Sequence, residues 1–181
     1  IKNKIDKIYH ENLCVSGHPR FLLLTDPLKR LYKKEADDIL KNFGDYAIFN
    51  SNTKYANHIN GEDFLFKNYG KRISNLKERI VYDKKKFEWN IELIKRLSEQ
   101  TKLNIIIRPH PEESGETYKQ KFHKFKKIHV VYDQNVIPWI LNCKYVIHND
   151  CTTAVEAYIA GKQPLAFNLA LDPSLSPPLP I

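Results

Sequence analysis

Short apolar runs alternate with longer amphipathic stretches along most of this chain. The runs are rich in β-branched and aromatic residues, which favour strands, and they predict strands at 45–50, 103–108, 128–132, 144–148 and 163–167. The stretches between them carry apolar residues at helical spacing and predict helices near 27–42, 76–100, 115–126, 136–143 and 154–160. This alternation predicts an α/β fold, in which a parallel sheet has helices on both faces and right-handed crossovers.

Two segments depart from the alternation. Residues 60–78 contain Gly61, Gly70 and scattered aromatic residues, and we expect an irregular insertion there with one helical turn. Near the start of the chain, Pro19 predicts an extended turn, and Val15 is expected to close a short strand before it.

The length of 181 residues suits one domain. We expect residues 1–20 to be the end of an interdomain linker, 21–170 to form the globular domain, and 171–181 to be a truncated proline-rich tail. Because the chain begins at Ile1 without a Met and ends in that tail, we expect a fragment of a larger protein. No apolar run approaches the roughly 18 residues of a membrane span, and no signal peptide is visible.

Charge and cysteine content narrow the classes of partner. The net charge is +8, and lysines concentrate in the predicted helices and their flanks. We expect solvated helix faces, with attraction to an acidic ligand or to an anionic membrane surface as alternatives. No module with base-stacking aromatics on a basic sheet is found, so nucleic acid is not expected as a partner. The chain has three cysteines, Cys14, Cys143 and Cys151. Their odd number and lack of CxxC spacing argue against a disulfide framework and a zinc site, and favour a location in the reducing cytoplasm.

A strongly β-branched strand runs directly into the sequence Arg108-Pro109-His110-Pro111. The two prolines hold the backbone extended, so Arg108 and His110 are displayed at the carboxyl end of the strand. Arginine can clamp a phosphate with two donors, and histidine can donate a hydrogen bond to it. We therefore predict that Arg108 and His110 bind phosphate. The alternative is a rigid turn in which His110 is hydrogen-bonded locally.

A tight polar turn and a short helix follow the strand predicted at 144–148. A helix that opens after a parallel strand directs its free N–H groups at the carboxyl edge of the sheet, where α/β folds bind phosphates. We predict Thr152 and Thr153 as phosphate ligands, and Glu156, one turn further on, as a ligand of ribose hydroxyls. An ordinary strand–helix–strand unit is the alternative. The thiol pKa of Cys151 is expected to be lowered by the helix N-terminus, although ligand binding is favoured there over nucleophilic catalysis.

A polar loop rich in Asn and Ser follows the strand predicted at 45–50. We predict a ligand loop, because it lies where the first strand–helix loop of such a sheet faces a ligand; a plain turn is the alternative. Its candidate residues are Asn50, Ser51, Asn52 and His58. No convincing general base is displayed, and the nearest candidates are His58 and His148. The GxGxxG and GxxxxGK[ST] phosphate loops are absent, as is a displayed DxD pair for a metal ion.

Several motifs together resemble bacterial surface carbohydrate biosynthesis proteins, which are glycosyltransferase-B-like proteins encoded among capsule and lipopolysaccharide genes. The resemblance covers residues 14–181 and rests on GHPRFLLL, FNSNTKYANH, IIIRPHP, VIPWILNCKYVIHNDCTTAVEAYIAGKQPLAF and LSPPLP. The segment HND–CTT–helix–GK is also similar to the nucleotide half of teichoic-acid polymerases and UDP-GlcNAc 2-epimerases. By position, Thr152 and Thr153 match their phosphate turn and Glu156 matches their ribose glutamate. The matching epimerase turn is glycine-rich, so the threonines here imply hydroxyl donors.

The His-Pro pair resembles that of bacterial sialyl- and Kdo-transferases, in which the His contacts the CMP phosphate. By this likeness His110 takes the same role. The resemblance as a whole implies a Rossmann-like domain, the C-terminal half of a GT-B fold, in which residues 21–170 bind a CMP- or UDP-linked nucleotide sugar as substrate. No metal or other cofactor is implied.

The resemblance further implies a polysaccharide or lipid-linked acceptor and peripheral association with the inner face of the membrane. An N-terminal domain, absent from this chain, would hold the acceptor and the general base. Two other functions stay open. One is a nucleotide-sugar epimerase or hydrolase related to UDP-GlcNAc 2-epimerase, and the other is a non-catalytic nucleotide-binding domain.

Overall fold

A five-stranded, all-parallel sheet forms the centre of the protein in a computed structural model that describes residues 17–132, 135–168, 172 and 175. The strand order is β3-β2-β1-β4-β5. The strands are β1 (Tyr46–Asn50), β2 (Asn104–Arg108), β3 (Ile128–Val130), β4 (Tyr145–His148) and β5 (Pro164–Ala166). All five predicted strands are confirmed, with β3 and β5 each two residues shorter than predicted. Residues 1–16 of the linker predicted at 1–20 and nearly all of the predicted tail lie outside the described residues.

The first strand lies at the centre of the sheet because the chain winds outwards from it in two directions. It pairs with β2 on one side and with β4 on the other, and Asn50 is in register with both Arg108 and His148. The connection from β3 to β4 crosses back over the sheet, so the direction of winding reverses between β1 and β4. Open α/β sheets bind ligands outside the carboxyl ends of the strands at such a reversal.

Side chains alternate across the sheet and form two apolar cores. Tyr46 and Ile48 of β1 pack in one core, and Ala47 and Phe49 pack in the other. Every residue of β1 is buried, as expected for a strand covered on both faces. Each face is covered by its own helices, so the sheet is the middle layer of three.

One face is covered by α2 (Lys33–Phe43), α6 (Ile137–Asn142) and α7 (Thr153–Ile159), and the other by α4 (Leu76–Gln100) and α5 (Gly115–Phe122). Helix α2 ends at Gly44, whose φ of 62° suits a residue without a Cβ. In the described residues no helix is both long enough and apolar enough to cross a membrane.

Two segments differ from the sequence-based expectations. The insertion predicted as irregular contains α3 (Gly61–Tyr69), two turns of helix whose Leu65 packs with Leu76 and Ile80 of α4 in a third, smaller core. Pro19 does not make an extended turn. It begins the short helix α1 (Pro19–Leu22), because its fixed φ suits the first helical position, and the His18 side chain caps the helix by accepting from the Arg20 N–H.

The helix predicted at 27–42 has two parts. A 3₁₀ helix over Leu28–Tyr32 precedes α2, which carries the amphipathic pattern. The remaining predicted helices are observed close to their expected limits. The strand expected at Val15 and the environment of Cys14 lie outside the described residues.

Candidate functional site

A cleft of about 590 Å³ opens at the carboxyl edge of the sheet, where the winding direction reverses. Segments that follow β1, β2, β3 and β4 all contribute to its walls, as does α1. The lining residues are Arg20, Asn50, Ser51, 108–111, Val131, Tyr132, Val136 and 151–153. The cleft therefore brings together the Arg-Pro-His-Pro segment and the Cys-Thr-Thr turn, although about forty residues separate them in sequence.

Arg108 ends β2 and forms part of the cleft wall. Its side chain is buried, and its guanidinium carbon lies 5.7 Å from the centre of the Trp139 ring on α6. A planar guanidinium stacks on an aromatic face while it presents N–H donors at its edge. The same face of the sheet carries Asn50 and His148, because these residues occupy the last positions of adjacent strands in register.

His110 is partly buried in the same wall and has a defined tautomer. Its Nδ1 accepts a hydrogen bond from the backbone N–H of Glu112 over 3.2 Å, so in the neutral ring the proton is on Nε2. Burial lowers the pKa of His110, the nearby Lys54 ammonium lowers it further, and Glu112 opposes both. At neutral pH the ring is therefore uncharged, and its Nε2–H is a hydrogen-bond donor.

A fully buried carboxylate joins the loops that follow β1 and β2. Glu113 accepts hydrogen bonds from the Ser51 hydroxyl (2.8 Å), the Thr53 N–H (2.6 Å), the Thr53 hydroxyl (3.1 Å) and the Tyr118 hydroxyl (2.9 Å). Burial raises the pKa of Glu113 despite these four donors. Because Ser51 lines the cleft and donates to Glu113, the network fixes this wall of the site.

Backbone hydrogen bonds tie the same two loops together. The Ile59 N–H donates to the Glu112 carbonyl and the Ser114 N–H to the Asn57 carbonyl, both over 2.8 Å. On the outer side, the Tyr132 hydroxyl donates to the Pro111 carbonyl over 2.6 Å. The Arg-Pro-His-Pro segment is thus held from both sides.

The opposite wall is the turn between β4 and α7. Asp150 adopts a left-handed conformation there, with φ of 48°, which a short polar side chain tolerates. Thr152 occupies the N-cap position of α7, but its side chain makes no capping hydrogen bond. Both Thr152 and Thr153 line the cleft. Their predicted location is therefore observed, and their binding of phosphate stays a prediction.

The expected activation of Cys151 is wrong. Burial raises the pKa of its thiol, and the hydrogen bonds from Thr153 and Ala154 offset only part of that effect. The cost of desolvating the thiolate is larger than the stabilisation that it gains at the start of the seven-residue helix α7.

Glu156 lies behind this wall. Its carboxylate is 5% exposed and accepts a hydrogen bond from the Nε of Arg20, whose side chain is 49% exposed and lines the cleft. Glu156 is itself absent from the residues that line the cleft. The predicted contact with ribose is not tested by this arrangement, but the charge that Glu156 faces in the protein is the Arg20 guanidinium.

The predicted ligand loop is divided between two places. Asn50 and Ser51 line the cleft, and the Nδ2 of Asn50 is buried with no hydrogen-bond partner among the described residues. Asn52 does not line the cleft, and His58 lies in a second, smaller pocket of about 90 Å³ with Tyr55, Leu65, Tyr69 and other residues. The loop turns away from the cleft after Ser51, because Thr53 is bound to Glu113.

Neither candidate general base faces the cleft. The Nδ1 of His58 accepts from the Asn60 N–H, and its ring stacks on Phe64 at 5.1 Å between centroids. His148 is buried, burial lowers its pKa, and it is not among the cleft residues. In the part of the chain that the structure describes, no three His, Cys, Asp or Glu side chains form a group that could hold a metal ion.

Sequence reasoning missed three residues that shape the site. Arg20 lies in the GHPRF motif, but nothing in that motif shows that it reaches α7. Glu113 follows the Arg-Pro-His-Pro segment, where a glutamate ordinarily predicts an exposed loop. Tyr132 was assigned to a strand, which in the structure ends two residues earlier at Val130.

Comparison with protein-family models finds no match, and comparison with curated proteins finds no significant one. The resemblance to surface-carbohydrate enzymes therefore rests on the sequence motifs, and the function that it implies stays a prediction.

Proposed function

We propose that this chain is the nucleotide-sugar-binding domain of a glycosyltransferase that acts in bacterial surface polysaccharide biosynthesis. The observation that carries the proposal is the cleft at the reversal point of the sheet, with Arg108 and His110 on one wall and Thr152 and Thr153 on the other. Its size suits a small-molecule ligand, and its donors suit phosphate. The sequence motifs supply the link to glycosyl transfer.

The donors have distinct roles in this proposal. The Arg108 guanidinium supplies charge and paired N–H groups to the phosphates. The Nε2–H of neutral His110 adds a hydrogen bond, and the threonine hydroxyls add others. Asn50 offers a buried amide donor at the floor of the cleft, which has no partner among the described residues.

Transfer in such an enzyme is a displacement at the anomeric carbon of the donor sugar. An acceptor hydroxyl forms the new C–O bond while the bond from carbon to phosphate oxygen breaks, and the electron pair stays on the phosphate. Arg108 and His110 would stabilise that developing charge. His110 suits the role of donor better than that of general base, because its Nδ1 is occupied and its Nε2 carries the proton. The general base would then come from outside this chain.

A thermal-shift panel tests the proposal, because a ligand that binds the native state raises its stability. CMP, UDP, CDP and GDP should be compared with their nucleosides. We expect at least one nucleotide to stabilise the chain, and its nucleoside to have a smaller effect. No stabilisation by any nucleotide would contradict the proposal and favour a domain that keeps only the fold.

The catalytic part of the proposal needs a separate measurement. The purified chain should transfer no sugar by itself, whereas mass analysis of products from the full-length protein should show a glycosylated acceptor. An epimerised or hydrolysed sugar would instead favour an epimerase or hydrolase.

A further inference from the structure

Arg20 enters the cleft from a segment that precedes the sheet, and it is held there by a residue 136 positions away in sequence. Its Nε donates to the buried carboxylate of Glu156 on α7. In the described part of the chain this is the only hydrogen bond that its side chain makes. The two Nη groups are therefore left for other partners.

The two members of this ion pair differ in their exposure to solvent, and the difference has a chemical consequence. Glu156 is nearly inaccessible, while about half of the Arg20 side chain is exposed and forms part of the cleft wall. A guanidinium has five N–H donors in a fixed plane, so binding through Nε orients the four Nη–H groups. Such a preorganised fork matches two oxygens of a phosphate, and less side-chain freedom is lost when it binds.

We propose that Arg20 is a phosphate-binding residue of the cleft and that Glu156 is its positioning residue rather than a ligand of ribose. The ligand class is a diphosphate or a diphosphate ester. The inference rests on the proposed function only in that the cleft binds a phosphate compound; it does not depend on the nucleoside or the sugar.

The two roles of Glu156 make different predictions for ligands that lack one part of a nucleotide. A ribose ligand should contribute to the binding of uridine and UDP but not of inorganic pyrophosphate. A positioning residue that acts through Arg20 should contribute to the binding of pyrophosphate and UDP but not of uridine. It should also have no effect once Arg20 is removed.

The experiment is calorimetric titration of the chain with inorganic pyrophosphate and UDP, and a thermal-shift comparison with uridine. The variants are Arg20→Ala, Glu156→Asp and the double variant. Glu156→Asp keeps the charge of the carboxylate but withdraws it by one methylene, so it separates position from charge. Arg30→Ala and Glu99→Asp, at exposed positions, are matched controls for each change.

We expect Arg20→Ala to weaken the binding of pyrophosphate and UDP by about 10- to 100-fold, the range for losing a hydrogen bond to a charged group. Glu156→Asp should weaken both by about 3- to 10-fold, which is less because Arg20 itself remains. In the Arg20→Ala background, Glu156→Asp should change pyrophosphate affinity by less than about 2-fold, because sites that act through one group are not additive. Uridine should respond to neither variant.

Arg20→Lys tests the same idea if Glu156→Asp does not fold. One ammonium cannot both pair with Glu156 and present a planar fork, so pyrophosphate binding should still weaken by about 5-fold or more. Unchanged pyrophosphate affinity in the folded Arg20 variants would overturn the inference, as would a wild-type chain that does not bind pyrophosphate. Pyrophosphate binding that depends on Arg20 without any gain from a nucleoside would leave the inference intact and contradict the proposed function.

Discussion

Two buried glutamates lie behind opposite walls of the cleft, and they are satisfied in different ways. Glu113, behind the wall built from the loops after β1 and β2, is 0% exposed and receives four hydrogen bonds, all from uncharged groups. Glu156, behind the wall that follows β4, is paired with the half-exposed guanidinium of Arg20.

The difference separates a structural carboxylate from a positioning one. The groups that donate hydrogen bonds to Glu113 are all buried. Their hydrogen bonds therefore stabilise the fold, and none of these donors is available to a ligand. The ion pair between Glu156 and Arg20 is expected to add little stability, because Arg20 is half-exposed. Arg20 nevertheless keeps N–H donors in the cleft. The hydrogen bonds of Glu113 are therefore expected to control folding, and the ion pair of Glu156 with Arg20 to control binding.

Glu113→Ala should have the largest effect of any change in the site. It removes the acceptor from buried donors on Ser51, Thr53 and Tyr118, and each unsatisfied donor costs about 1–3 kcal/mol. We expect the free energy of unfolding to fall by at least about 3 kcal/mol, measured by urea denaturation. Glu116→Ala, at an exposed position in the first turn of α5, is the control and should change the free energy of unfolding by less than about 0.5 kcal/mol. A loss of that small size at Glu113 would show that the network does not hold the wall.

Arg108→Lys should weaken UDP binding by about 1.5–3 kcal/mol, the range for a hydrogen bond to a charged group. Lysine keeps the charge but lacks the paired N–H groups, and it does not stack on Trp139 in the same way. Calorimetry on the folded variant measures the change. Unchanged affinity would mean that Arg108 has a structural role beside Trp139.

His110→Ala should weaken UDP binding by about 1–2 kcal/mol through loss of the Nε2–H donor. His110→Gln places an amide nitrogen near the position of Nε2 and should recover part of the affinity, whereas His110→Asn places it near Nδ1 and should not. Titrations of the three variants at one pH give this order. Equal affinity for the Gln and Asn variants would contradict the tautomer assigned here.

The stability of the wild type relative to Glu113→Gln should fall as the pH rises above 4.5, the ordinary pKa of a glutamate. Burial raises the pKa of Glu113, so above pH 4.5 the unfolded chain has lost a proton that the folded chain still holds. The stabilisation is complete below pH 4.5 and is lost as the pH rises through the folded-state pKa. The slope is at most about 1.4 kcal/mol per pH unit. Parallel pH profiles of unfolding check this, and an opposite slope would show that the hydrogen bonds to Glu113 outweigh its burial and lower its pKa.

Arg20→Ala should lower the free energy of unfolding much less than Glu113→Ala, by about 1 kcal/mol or less, because the Arg20 side chain is half-exposed. The same urea experiment used for Glu113 measures it. If the loss equals that of Glu113→Ala, the two glutamates do not differ in the way described, and Arg20 stabilises the fold.

The sheet could be predicted from the sequence because its strands are continuous β-branched runs, such as Asn104–Arg108, separated by amphipathic helices. The cleft could be placed because the carboxyl ends of parallel strands meet at one edge. Helix α3 was missed because glycines flank its sequence and, of its residues, only Leu65 is buried.

The side-chain contacts behind the walls of the cleft could not be predicted from the sequence. The Arg20–Glu156 pair joins segments 136 residues apart, and the spacing of residues within one segment carries no signal for such a contact. The burial of Glu113 depends on a loop that folds back against Ser51 and Thr53, which propensity does not specify. Asn52 and His58 are predicted as ligand residues because their loop follows β1, but the loop turns away from the cleft before it reaches them.

The most direct test of the central claim, that the cleft between these walls binds nucleotide phosphates, is a titration of the ¹⁵N-labelled chain with UDP followed by two-dimensional NMR. If the claim is right, the backbone amides of Asn50, Ser51, Arg108, His110 and residues 151–153 shift together and saturate with one dissociation constant. Shifts confined to residues 54–73, around the smaller pocket, or no saturable shifts with UDP, CMP, CDP or GDP, would contradict it.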